Sequence, residues 1–522
     1  MTGPVGSTEP DDWQPLLRDL EARRGDARAM GGAERIEARR ESGRLNARER
    51  IDALLDPGSF VELGALVGAV HRGVTPPAPA DGLVGGHGLI DGRRVVVGSE
   101  DFTVMGGSIG IGTHAKRIRL ASLAGQEGVP LVMLLEGAGE RSQNAFERYP
   151  YSPNDLQVLA RNHGRIPMVS VVMGPSAGHG ALTAPLSDFV VMVEGASLFS
   201  AGPALVRRAT GEEVTAAELG GTAMHTTLSG VAHNAAPDDR AALALVRRYL
   251  SYLPSHAGGP TPPVDTIDGG DTGPRALDGI LELIPADPRK VYDIRAVIEL
   301  MADAGSVFEV QPAFGRTIVT ALARLGGRPV AVVANQPGYK AGAIDRDGAD
   351  KATAFLESIT PFRIPVITLA DNPGVMAGTQ AEQSGILRAA ARMYLAQSRV
   401  RAPKLAVALR KAYGFGSSVM AMNPFDGQTV VLAFPGARLG AMPAEGAQEV
   451  AGLDGNPELV LQHSELGGAY SSADTMAYDD VIDPRELRDA LLDALSLAAE
   501  RPRGGPRGRG PMGGGLTRGG PR

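Results

Sequence analysis

The 522 residues contain no cysteine. That absence excludes a disulfide framework, thiol catalysis and cysteine-ligated metal. Long apolar runs are also missing: nothing approaches the roughly 20 residues that a membrane-spanning helix needs, so no membrane partner is expected. The N-terminus lacks the basic-then-apolar pattern of a secretory signal, which points to a cytoplasmic protein. Positive charge is not in excess. A net charge of −7 gives no general reason to bind nucleic acid. Residues 501–522 hold no acidic side chain and are rich in Arg, Gly and Pro, the composition of a disordered, solvated tail.

What is present is ordinary for a globular protein, with 43% hydrophobic and 21% charged residues. The exception is glycine, at 69 residues about twice the usual fraction. Such an excess belongs in tight turns and in sites lined by backbone. The length exceeds one ordinary core, so two large domains are expected.

Residues 1–10 look disordered. From Asp11 to Leu55 the Arg/Glu/Ala/Leu composition favours helix, with Trp13, Leu16, Leu17 and Leu20 at helical spacing. Asp56-Pro57-Gly58 then makes a turn. This basic arm reads as a solvated packing helix rather than a cap over a ligand's phosphates. Val95–Val97, Val129–Leu135 and Ile166–Met173 are predicted strands, and His114–Gly125 and Pro153–Gly164 predicted helices. The alternation indicates α/β layering. Residues 256–275 form a Pro/Gly-rich linker, after which the alternation resumes to about Leu497.

Residues 166–189 are the most informative stretch. The apolar run Ile166–Met173 reads as a strand buried on both faces. It breaks at Gly174-Pro175 and opens into Ser176, Ala177, Gly178, Gly180 and Ala181. A helix starting there presents amides without intrahelical partners, backed by the helix dipole. That is a backbone oxyanion hole.

The stretch has a counterpart. Asp91–Val97 resembles Gly326–Val332, and Val129–Gly137 resembles Ile364–Asn372, both 235 positions later. Ile166–Ser170 resembles Ala402–Ala406, 236 positions later. The opening at Gly178 therefore matches Arg410–Ser418. A spacing this constant over separate motifs marks an internal repeat, with one backbone hole in each half.

Several motifs have a family resemblance. They are Ala47–Phe60, Asp101–Ser108, Thr210–Val214, Gly220-Gly221, His225–His233, Ala334–Pro337 and Arg410–Gly414. The chain resembles, from about Arg35 to Leu497, the carboxyltransferase (beta) subunit of biotin-dependent acyl-CoA carboxylases such as propionyl-CoA carboxylase. The resemblance implies two tandem crotonase-like domains, 1–265 on the acyl-CoA side and 276–500 on the biotin side. It implies a coenzyme A thioester as substrate and six protomers in a ring. No Met-Lys-Met-type biotin attachment segment and no ATP-binding region is found, so biotin would arrive on a biotin carboxylase/biotin carboxyl carrier (alpha) subunit. By the same resemblance, the amides of Gly178 and His179 would stabilise an acyl-CoA enolate. Those of Phe415 and Gly416 would hold the ureido oxygen of biotin. Gly106, Gly107, Gly137, Ala138, Gly139 and Gly180 would line the acyl-CoA site, and Gly414, Ser417 and Ser418 the biotin site. The freed biotin nitrogen would take the α-proton. Family members usually carry Gly-Gly at Gly178-His179 and Gly-Gly-Ala at Gly414-Phe415-Gly416. An acidic residue common in short-chain members is Ser418 here, and Glu136–Arg141 differs from the usual Ser-Gly-Gly-Ala-Arg. These departures imply altered acyl specificity or a member that no longer carboxylates.

Other readings compete. Gly174-Pro175-Ser176-Ala177-Gly178 matches the nucleophile elbow of a hydrolase, with Ser176 as nucleophile. His179 is read as shaping the pocket, with a decarboxylase using it as proton donor as the variant. A non-catalytic scaffold subunit is the third alternative. His225 and His233 are read as packing residues. His71, His87 and His114 show no ligand spacing, so no metal site is expected. Arg141 pairs with CoA phosphates or supports its loop.

Overall fold

A computed structural model of the chain describes residues 12–68, 78–141, 154–262, 272–441 and 468–499. The disorder expected for 1–10 and 501–522, His71 and the middle of the linker lie outside these residues.

The arm is three helices, α1 (Trp13–Ala29), α2 (Ala33–Glu41) and α3 (Ala47–Leu54). The first break falls at Gly31, where a Cβ would sit 2.1 Å from the Thr103 carbonyl oxygen. Asn46 and Glu49 close a capping box on α3, which buries Ile51 and Leu54. The apolar spacing of α1 does not pack: Trp13 is 75% exposed, and Ala27 is the buried residue of that helix.

Beyond the arm the described residues form two eight-stranded sheets. The first holds β1 (Val61–Glu62), β2 (Leu83–Ile90), β3 (Arg93–Glu100), β4 (Leu131–Gly137), β5 (Met168–Ala177), β6 (Phe189–Val193), β7 (Ser197–Phe199) and β8 (Asn234–Ala236). The second holds β9 (Phe308–Val310), β10 (Ile318–Leu325), β11 (Arg328–Asn335), β12 (Val366–Asn372), β13 (Lys404–Tyr413), β14 (Val430–Ala433), β15 (Arg438–Gly440) and β16 (Asp480–Val481). Spatial order is β1-β2-β3-β4-β5-β6-β8 with β7 on β5, and β9-β10-β11-β12-β13-β14-β16 with β15 on β13. Each strand of the second sheet thus repeats the role of the strand eight places earlier. In both sheets the first three strands are antiparallel and the rest parallel. Even the register shift recurs, between Leu135 and Gly137 and between Ala370 and Asn372.

The predicted strands lie in β3, β4 and β5, all fully buried in their apolar runs as expected for parallel strands covered on both faces. The predicted helices are α4 (Ile111–Glu127) and α5 (Asp155–Asn162). α4 carries Lys116, buried, with its ammonium on the carbonyls of Ala80 and Leu83. Its counterpart Lys351, 235 positions later, binds the carbonyls of Phe314 and Ile318. Burial lowers Lys116 to about 8 and Lys351 to about 7.

The halves meet through aromatic packing. Phe189 of β6 stacks on Tyr249 at 4.4 Å and meets Phe308 of β9 edge-on at 5.7 Å. Asn234 of β8 donates to the Glu309 carbonyl of β9 and accepts from the Gln311 amide.

Candidate functional site

In the first half, three glycine-bearing turns converge at the C-terminal ends of β3, β4 and β5. After β3, residues 105–107 form a 3-10 turn with Gly106 and Gly107 at φ of +64° and +61°. After β4, Ala138 donates to the Gly106 carbonyl and Ile109 to that of Gly139. A Cβ on Gly107 would lie 2.3 Å from the Glu136 carbonyl oxygen, and one on Gly139 2.9 Å from that of Ala177. After β5, Gly178 at φ +60° starts α6 (Gly178–Ala181). Only glycine takes that left-handed turn without strain, which lets the chain pass abruptly from strand to helix. The amides opening α6 have no partner within it. Gly106, Gly107, Gly137, Ala138, Gly139, Gly178, His179 and Gly180, widely separated in sequence, thus form one cluster.

His179 links this cluster to a buried network of charged side chains. Its Nε2 is 2.5 Å from Asp155 Oδ1. The other carboxylate oxygen, Oδ2, accepts from Arg117 Nε at 2.6 Å. Arg117 also donates to Glu100 at 2.8 Å and to Thr183 at 2.5 Å. Glu100, Arg117 and Asp155 are buried, whereas the His179 side chain keeps 20% of its surface open. Burial would raise the Asp155 carboxyl, but the His179 hydrogen bond and the Arg117 charge outweigh it and hold it well below the usual carboxylate range. Glu100 goes the other way, raised by burial against the opposing charge of Arg117. His114 Nδ1 lies 4.0 Å from Asp155 Oδ1, so His114, Asp155 and His179 present ligand-type atoms within 4.8 Å of one another.

The second half repeats the turn with different side chains. β13 ends at Tyr413, and Gly414, at φ +53°, starts the helix Gly414–Val419. A Cβ on Gly416 would meet Asn372 Oδ1 at 1.9 Å. Ser417 Oγ donates to the Gly414 carbonyl and Ser418 Oγ to Asn423. Phe415, 68% exposed, stands where the first half has His179. With Leu387, Ala390, Ala391, Tyr394, Ser418 and Val419 it lines an apolar cleft of about 340 Å³.

Comparison with known proteins agrees with this duplicated arrangement. The model of the carboxyl transferase domain matches residues 38–510. The chain belongs to the carboxyl transferase family. It is similar to methylmalonyl-CoA decarboxylase subunit alpha of Veillonella parvula, 36% identical over 94% of this chain and 96% of that one. It is also similar to the mitochondrial propionyl-CoA carboxylase beta chain of Homo sapiens, 36% identical over 92% and 90%. Among solved structures, transcarboxylase 12S, described as a hexamer with hydrolyzed methylmalonyl-coenzyme A bound, superposes with a TM-score of 0.88 at 34% identity, covering 96% and 98% of the two chains. The two sheets are therefore crotonase-like folds.

Within this carboxyl transferase fold, several side chains prove structural. Arg141 is buried, pairs with Asp81 at 2.7 Å and donates to Ser108, so it supports its loop. His225 is held between Ser229 and the Leu198 carbonyl. His233, lowered to about 4 by burial and the Lys351 charge, accepts from the Val190 amide through Nδ1. The hydrolase reading loses its nucleophile. Ser176 lies inside β5, 1% exposed and in register with Gly137 and Leu198, so it does not sit on an exposed elbow. The arm's arginines turn inward: Arg39, Arg44 and Arg50 converge on Glu136. Arg410 pairs with Asp371 at 2.7 Å in the matching place of the second half.

Sequence reasoning missed Asp155, Arg117, Glu100 and the convergence of His114 with them. These residues lie on β3, α4 and α5, and no short motif links them. The signal available was that His179 replaced a glycine, which raises the question of what would hold an imidazole there.

Proposed function

We propose that the chain moves a carboxyl group between biotin, carried on a partner subunit, and the α-carbon of an acyl-CoA. The observation that carries this reading is the duplicated turn: two ten-residue strands, each ending in a left-handed glycine and a helix start, in two sheets of identical strand order. Carboxyl transfer needs two oxyanions stabilised, one on each reactant, and the repeat supplies two backbone donors sets.

In the first half, 1–265, the amides of Gly178 and His179 hold the thioester oxygen as the α-carbon gains enolate character. The glycine turns at 106–107 and 137–139 allow the thioester to approach the backbone. One donor in such a hole typically contributes about 2.7–4 kcal/mol to the transition state. In the second half, 276–500, the amides of Phe415 and Gly416 face the ureido oxygen, with Gly414, Ser417 and Ser418 shaping the turn. The residues fit biotin: an apolar cleft bordered by Phe415 and Val419 suits its fused rings and aliphatic arm. When bound, carboxybiotin supplies the activated carboxyl group, while this chain's part is to bind, orient and stabilise charge. The partner is a biotin carboxylase/biotin carboxyl carrier subunit, and the working form is a hexamer of this chain. Among the described residues no helix is long and apolar enough to cross a membrane, and the protein works in the cytoplasm.

The test is fixation of labelled bicarbonate by this protein with a biotinylated carrier, biotin carboxylase, ATP and acyl-CoAs from acetyl to long-chain. Label in one acyl-CoA, lost when the carrier is left out, is the expected result. No label with any acceptor, while a known carboxyltransferase works in parallel, refutes the reading.

A further inference from the structure

The two halves share strand order, glycine turns and buried lysines, yet differ sharply at one place. His114, Arg117 and Asp155 in the first half correspond, 235 positions on, to Ala349, Ala352 and Ala390, and His179, 236 positions on, to Phe415. These four are alanine or phenylalanine in the second half, Glu100 corresponds to Asn335, and Ala390 and Phe415 line the apolar cleft there. The fold therefore forms without the cluster. A buried ion network is also weak evidence for stability, because desolvation offsets its attraction. Its presence in the half assigned to acyl-CoA calls for a chemical use.

The cluster fixes the state of His179. Asp155 is ionised and its Oδ2 is taken by Arg117, so Oδ1 accepts the proton on His179 Nε2. In that tautomer the lone pair is on Nδ1, the nitrogen left to exchange a proton with a ligand. The 2.5 Å between Nε2 and Oδ1 is a hydrogen-bond separation. Two ligands on one tetrahedral ion at about 2.0 Å would stand about 3.3 Å apart, so the pair is set for a proton rather than a metal.

We propose that His179 is a catalytic base that enolises the bound acyl-CoA without biotin, exchanging its α-protons with solvent. The inference rests on the proposed acyl-CoA site. In the step, the α-carbon–hydrogen bond breaks and its proton goes to Nδ1. The electron pair forms the enolate, whose oxygen lies on the backbone hole. The imidazolium trades that proton with water and returns it to the α-carbon. No oxidant, reductant or other reactant is needed. Asp155 and Arg117 are positioning residues that act through the ring.

The experiment incubates the full chain, without carrier, biotin or ATP, with propionyl-CoA in deuterated buffer and follows deuterium at the α-carbon by mass spectrometry. Labelled-bicarbonate transfer is measured in parallel on the same preparation. Exchange well above the buffer rate is expected, falling at least about 100-fold in His179→Gln, which keeps the amide and removes the base. Added imidazole should restore exchange to His179→Gly. Exchange at the buffer rate in the wild type, undiminished exchange in His179→Gln, or loss of exchange on adding EDTA each overturns the inference. So does failure of imidazole to rescue a His179→Gly protein that keeps the wild-type circular dichroism spectrum. The transfer arm separates the two readings: transfer without exchange removes the base and leaves the carboxyltransferase, whereas loss of both removes the acyl-CoA site itself.

Discussion

Glu136 pins the arm to the first sheet, and its removal has a calculable effect. It sits near the end of β4, 1% exposed, and accepts from Arg39 of α2 and Arg50 of α3, the latter at 2.6 Å. Arg44 stands 3.6 Å away. In Glu136→Gln the charge disappears and an amide donor faces three guanidinium groups. Breaking a buried pair by deleting one partner typically costs about 3–5 kcal/mol. Arg50 keeps Asp239 at 2.9 Å, and Arg39 keeps the Leu45 carbonyl at 2.9 Å, so the lower figure applies. About 3 kcal/mol corresponds to a roughly 100-fold rise in the population with the arm detached. Hydrogen exchange followed by mass spectrometry reads that population directly, because amides in a locally opening unit exchange in proportion to its opening. The backbone of Ala47–Leu54 should lose about 100-fold in protection, while the helix Leu487–Ala498 keeps its own. The arm also holds the loop before the 105–107 turn, through Gly31 and Arg35 on Thr103, so KM for acyl-CoA should rise in the same variant. A change in protection below threefold would refute the view that Glu136 holds the arm.

Neighbouring glycines should differ. Gly106→Ala, with its nearest contact at 3.7 Å, should cost only the roughly 1 kcal/mol of a left-handed alanine, whereas Gly107→Ala adds a collision with the Glu136 carbonyl and should cost distinctly more in thermal unfolding. Phe415→Ala should leave thermal stability within about 0.5 kcal/mol, because the ring is mostly exposed, yet raise KM for the biotinylated carrier about tenfold by removing an apolar wall. Lys351 is lowered to about 7 when folded and regains its ordinary value when unfolded. Between about pH 7 and 10 the unfolded chain binds the extra proton, so stability rises with pH there by up to about 1.4 kcal/mol per unit. Denaturant midpoints across that range should show a flatter slope in Lys351→Met.

Much of the fold was legible because the repeat lies in strands buried on both faces, whose apolar runs survive as text. Val129–Leu135 and Ile364–Ala370 announce the same element twice, and the structure gives them the same register and the same bulge. The glycine cluster was legible for a related reason, since Gly107, Gly139 and Gly178 are required by close backbone approach or positive φ, and few residues can replace them. The arm was legible only in part. Its composition favours helix, but the breaks depend on Gly31 meeting Thr103, a contact 72 positions apart. The exposure of Trp13, Leu16 and Leu17 shows that apolar spacing marks a face without saying what covers it. The charged cluster was least legible. Glu100, Arg117 and Asp155 are ordinary charged residues in their own segments, and only the convergence of β3, α4 and α5 at the end of β5 gives them a common purpose.

Comparing the halves separates what the fold requires from what the chemistry requires. Lys116 and Lys351 occupy matching positions on matching helices and bind carbonyls of matching segments, those of Leu83 and Ile318 being 235 positions apart. Each ammonium is buried at a cost that lowers its pKa, and each satisfies carbonyls that would otherwise be stranded where the chain enters β2 or β10. Occurring in both halves, this device answers a need of the crotonase-like fold itself. Glu100, Arg117 and Asp155 are buried charges as well, but the second half packs the same strand and helices around Asn335, Ala352 and Ala390 instead. A cost borne in one half alone is not explained by folding. It is explained if the first half must hold an imidazole in a single tautomer beside a thioester, while the second must only seat a largely apolar ring system against Phe415.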